Sequence, residues 1–119
     1  MFRIYIILFF LFFIKVVSAQ TTISIDSVSA YVGQVVKVCD KVAGTFVTKG
    51  DKPVTYLNLG TDYPNTKLII VIFQKDLINF PTSPSEYYKS KNVCVTGEIG
   101  VYKERYQIIV KMLDQIESK

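Results

Sequence analysis

The chain of 119 residues contains no histidine, and that bounds its chemistry. Without an imidazole there is no Ser-His-Asp or Cys-His arrangement and no usual base near neutral pH. The carboxylates are scattered rather than paired, and no phosphate loop or dinucleotide fingerprint occurs. A base would have to be an unusual Lys or Tyr, so the expectation is a binding protein with no catalytic residue, metal or cofactor. Two cysteines remain, Cys39 and Cys94. A metal site built on them would need two further ligands, and histidine is not available as one. A structural disulfide is the simpler reading if the chain reaches an oxidising compartment.

The N-terminus points to such a compartment. Arg3 supplies a positive start, Ile4 to Ile14 is an uncharged apolar run, and Val17-Ser18-Ala19 offers small or permitted residues before a cut. Lys15 ends the apolar run well short of the roughly 20 residues that a membrane span needs. Residues 1–19 therefore read as a cleaved signal peptide, and no Cys follows the cut to suggest a lipoprotein. The expected product is exported, periplasmic or secreted, with no membrane contact after cleavage. Loss of Arg3 and Lys15 leaves 12 basic against 10 acidic residues, a net charge of +2. A dedicated duplex-DNA binder would usually be far more basic.

The rest reads as strands. Residues 20–31 are polar and β-branched, an N-terminal arm or an extra edge strand. Val32 to Val42 alternates, with Val36, Val38 and Val42 on one face and Lys37, Cys39 and Lys41 on the other. Gly44 to Lys52 is mixed and ends in a turn at Gly50-Asp51. Val54 to Leu59 places Leu57 and Leu59 on one face, and Val54, Tyr56 and Asn58 on the other. Gly60, Asp62, Pro64 and Asn65 break the pattern, and Leu68 to Phe73 is a continuous apolar run suited to a central strand. Ser83-Pro84-Ser85-Glu86 predicts a short helix, with Ser83 as cap, Pro84 at the first position and Glu86 completing a capping box. Lys91 to Ile99 repeats the first strand's pattern, with Val93, Val95 and Ile99 inward. Tyr106 to Val110 is the last strand, and residues 112–119 form a polar tail.

Three strands, a short helix and two more strands follow the order of the OB-fold, the oligonucleotide/oligosaccharide-binding barrel. The first strand resembles that family's Gly-x-x-Val-x-Val-x-Gly-x-Val pattern at Gly33, Val36, Val38 and Val42. The fourth resembles Gly-Lys-x-Val-x-Val-x-Gly-x-Ile at Lys91, Val93, Val95, Gly97 and Ile99. Tyr102 to Ile108 resembles the Tyr-x-Gly-x-x-Gln-Ile turn and fifth strand. Asp40, Ser90 and Glu104 stand where the family has glycine. The likeness covers about residues 32–110, is nearest to the nucleic-acid-binding, tRNA-anticodon type, and includes exported bacterial domains.

The resemblance implies an all-β, five-stranded antiparallel Greek-key barrel over residues 32–119, with one short helix before the fourth strand. It also implies that the first and fourth strands pair, which would bring Cys39 and Cys94 together. Its ligand groove lies across strands two and three, flanked by the loops after strands one and four. That groove would present Tyr56, Asn58, Tyr63, Asn65 and Lys67. Phe73, Tyr102, Lys103, Arg105 and Tyr106 complete it. Rings can stack on bases and cations can follow phosphates, so single-stranded DNA or RNA is one implied partner. The same rings can stack on sugars, and Glu104 places an acid beside the cleft. A protein- or glycan-binding assembly module is therefore the alternative.

Overall fold

A computed structural model describes residues 21–119. The signal peptide read at residues 1–19 lies outside the described residues. Eight strands form one sheet: β1 (Thr22–Ile23), β2 (Val35–Val47), β3 (Val54–Leu59), β4 (Leu68–Phe73), β5 (Asn92–Glu98), β6 (Gly100–Tyr102), β7 (Arg105–Ile109) and β8 (Ile116–Ser118). One α-helical turn, α1 (Pro84–Tyr87), and three 3-10 segments complete the described chain. Among the described residues no helix is long and apolar enough to cross a membrane.

The paired strands run in the order β6-β7-β4-β3-β2-β5-β8, with β1 added beside β2. This corrects the expected count and direction. Among the described residues there are eight strands rather than five, β1–β2 and β4–β7 are parallel, and the path of pairing is not closed into a ring. The five expected strands survive inside it as β2, β3, β4, β5 and β7. The extra ones are short. A three-residue hairpin arm precedes β7, and a two-residue and a three-residue strand come from the segments read as arm and tail.

β2 makes this arrangement possible. Residues Val35 to Lys41 pair with β5, and Val42 to Val47 pair with β3. The register shifts between Val42 and Gly44. An irregularity of this kind bends a strand and increases its twist, so one strand can serve both halves of the sheet. It also explains why β2 runs 13 residues, past the expected end at Val42. The irregularity breaks the alternation by which a strand is recognised.

The inner faces are those that alternation predicts. Val36, Val38, Leu57, Leu59, Val93 and Val95 are at most 1% exposed, and so are Val42 and Ile99. Burying each such side chain stabilises the fold by about 1.5–3 kcal/mol. The segment before Val32, read as an arm or an extra edge strand, contributes the short strand β1. Ile23, Ile25 and Val28 belong to the same buried core, and β1 pairs with β2. The tail also packs back, with Ile116 buried and β8 paired to β5. At α1, Pro84 takes an initial helical position as expected, but Ser83 makes no side-chain cap, so the capping box does not form. The Ser83 hydroxyl lies 3.2 Å from that of Ser85 instead.

Candidate functional site

Outer-face residues of β2, β3 and β4 form rows set by the register. Phe46, Tyr56 and Val71 stand opposite one another, and Val71 continues to Ile109 on β7. The Phe46 and Tyr56 rings stack with centroids 6.5 Å apart and planes within 3°. Phe46 is 57% exposed, so the pair faces solvent. Phe73 closes β4 opposite Val54, on the same face. Sequence reasoning missed Phe46, because Gly44 to Lys52 looked like loop. The available signal was the Phe46-Val47 pair, which suits a strand.

The next row is Gly44, Asn58 and Ile69. Asn58 is only 5% exposed, and its Nδ2 donates to Asp62 Oδ1 at 2.9 Å. The Tyr63 N–H donates to the same oxygen at 2.8 Å. Asp62 folds down so closely that a methyl group at Gly44 would overlap its carboxylate. The amide of Asn58, followed by the Tyr63 N–H, holds the Asp62 carboxyl below its ordinary pKa. Asn58 is thus a buried anchor for an acid, not the open ligand contact that was expected.

Beyond this row lies a cleft of about 560 Å³, which gathers Lys67, Lys103, Arg105 and Tyr106 with Asp26 and Glu104. Lys67 Nζ sits 2.6 Å from Asp26 Oδ1, and that hydrogen bond and the charge of Asp26 raise the lysine pKa. Arg105 donates to the Pro64 carbonyl at 3.1 Å and lies 4.9 Å above the ring of Tyr63. Tyr106 is half-buried and packs on the core. Lys103 and Glu104 both have positive φ, 48° and 63°. They are the two central residues of the β6–β7 hairpin, whose ends Tyr102 and Arg105 pair.

The ten expected residues therefore divide. Tyr56 and Phe73 lie on the sheet face, Asn58 beneath Asp62, and Lys67, Lys103, Arg105 and Tyr106 at the cleft. Tyr63 and Arg105 join the two regions. Tyr63 is 70% exposed, and Tyr102 is exposed with Lys103 Nζ 5.5 Å from its ring centroid. The Asn65 backbone closes the β3–β4 turn onto Asp62, and its side chain is exposed. Cys39 and Cys94 stand directly opposite in β2 and β5 and form a disulfide, with Cα atoms 4.0 Å apart. Among the described residues no three potential metal ligands converge.

No protein-family model matches the chain. No curated protein matches it either. Solved structures do. The chain is similar to one in the crystal structure of yeast Stn1 and Ten1, at 15% identity and a TM-score of 0.60, over 88% of this chain and 65% of that one. It is also similar to a structure described as an aspartyl-tRNA synthetase from Leishmania major Friedlin, at 17% identity and a TM-score of 0.51. That match covers 84% of this chain and 21% of the other. The chain thus spans less than two thirds of either neighbour's length. At such identities the likeness concerns the fold alone, and that fold is the OB-fold.

Proposed function

We propose that this chain is an exported OB-fold module that binds single-stranded nucleic acid across the outer face of β2, β3 and β4, without catalysing a reaction on it. The observation that carries the reading is the solvent-facing Phe46–Tyr56 pair, with a cleft holding Lys67, Lys103 and Arg105 that is linked to the sheet face through Tyr63, Asp62 and Asn58. Stacking platforms beside cations are what unpaired strands require, since every base has a flat face and every linkage a charge. The small net charge suits a short single strand better than a duplex. The disulfide agrees with a periplasmic or secreted location, because exported proteins keep such bridges and cytosolic ones rarely do.

The two contributions to affinity separate experimentally. Three phosphate contacts give a slope of log affinity against log salt near −2, at about −0.7 per contact on single strands. Tyr56→Ala weakens binding by about 1–3 kcal/mol per stacked base and leaves the slope unchanged. Lys67→Ala reduces the slope by about 0.7. The measurement is titration of a labelled oligonucleotide at several salt concentrations. Absence of binding at low salt overturns the proposal. It would leave a protein or glycan partner, the reading favoured by the carboxylates of Asp26 and Glu104 at the cleft.

A further inference from the structure

Asp62 is built into the outer face rather than lying loosely over it. Asn58 and the Tyr63 N–H both donate to its Oδ1, and the missing side chain at Gly44 makes room for it. Among the described residues its Oδ2 accepts no hydrogen bond. The carboxylate lies over the Gly44–Asn58 row, one step along the strands from the Phe46–Tyr56 row. Successive residues on one face of a strand are roughly 7 Å apart. A ring resting on Tyr56 with an edge toward Gly44 therefore meets a fixed negative charge with a free acceptor. A phosphate is repelled there, so the strand must turn its base side to Asp62.

We infer that Asp62 reads bases: its free oxygen accepts a hydrogen bond from the exocyclic amino group of a base stacked at Tyr56. The site then selects cytosine, adenine and guanine against thymine and uracil. The projecting amino group of cytosine is a ready donor to a carboxylate. Thymine and uracil offer one ring N–H between two carbonyl oxygens, and those oxygens repel the same charge. This inference rests on the nucleic-acid reading above.

The test uses the disulfide-bonded protein and equal-length labelled oligonucleotides of deoxycytidine, thymidine and N4,N4-dimethyldeoxycytidine, the last lacking amino hydrogens. Oligodeoxycytidine should bind about tenfold tighter than oligothymidine, the worth of one hydrogen bond to a charged group. Dimethylation should remove that advantage. Asp62→Asn keeps a carbonyl oxygen for Asn58 and for the Tyr63 N–H but loses the charge. In that variant the cytosine-to-thymine ratio should fall to about twofold or reverse, and dimethylation should have little effect, because its amide nitrogen now donates to carbonyl oxygens. The ratio is taken within one protein, so partial loss of folded material does not change it. If the variant does not fold, the three ligands on the unaltered protein decide. Equal affinity for cytosine and thymine, or undiminished binding after dimethylation, overturns the inference and leaves the proposed function intact. No binding to any of the three oligonucleotides overturns the proposed function itself.

Discussion

At the scale of single residues, the cations of the cleft are not all free. Lys67 is held by Asp26, and its raised pKa records that contact. Any phosphate at Lys67 must compete with a carboxylate already in place. Asp26→Asn should therefore tighten binding of a single-stranded oligonucleotide by about two- to fivefold at low salt, the range spanned by exposed ion pairs. The gain should vanish near 1 M salt, where charges are screened within about 3 Å. Competition anisotropy at the two salt levels checks it, and an unchanged affinity at low salt counts against Lys67 as a phosphate contact. Asp26 could not have been chosen from the sequence, because it stands 41 residues from Lys67 and the approach of the two is tertiary. The aromatic and basic types were legible, since their chemistry is carried by the residue itself. Which of them were already engaged was not. Asn58 looked like an open contact by alternation, and only the folded turn brings Asp62 onto it.

At the scale of elements, the strands β3, β4 and β5 were legible because each buries one face, and period-two alternation or an apolar run records that burial. What escaped was caused by local departures from regularity. The shift between Val42 and Gly44 hid the second half of β2 and, with it, Phe46. The glycine positions of the resemblance carry a physical meaning that the backbone makes explicit. Ser90 and Glu104, which stand in place of glycine, both have φ of 63°. A side chain there costs roughly 1–2 kcal/mol. Glycine would relieve this cost but bring back about 0.5–1 kcal/mol of chain entropy. Glu104→Gly should therefore raise stability by at most about 1.5 kcal/mol, whereas Glu104→Val, β-branched at positive φ, should lower it. Paired urea titrations give the two signs, and a loss of stability in the glycine variant would contradict the turn geometry. Gly97, by contrast, sits where space is short, since a side chain there would meet Ile108 of β7.

At the scale of the whole molecule, the disulfide ties β2, the strand shared by both halves of the sheet, to its neighbour β5. Cys39 and Cys94 lie within the β2–β5 ladder, and 55 residues separate them, so the loop they close contains β3, β4 and α1. A chain of about 100 described residues buries a limited core, and a typical domain is stable by only about 5–15 kcal/mol. Closing a loop of this length removes freedom from the unfolded chain worth about 4 kcal/mol in the chain-entropy model. Reduction should thus cost a large share of the total while leaving the strand pairing of the folded state in place. The denaturant midpoint should fall on adding reductant. The slope of stability against denaturant should rise, because an uncrosslinked unfolded chain exposes more surface. A fall in midpoint with an unchanged slope would place the effect in the folded state, through lost packing around the buried Cys94, and not in the loop. Two alkylatable thiols in protein taken from its own compartment would show that the bridge does not form there, and the argument for export from the cysteines would go with it.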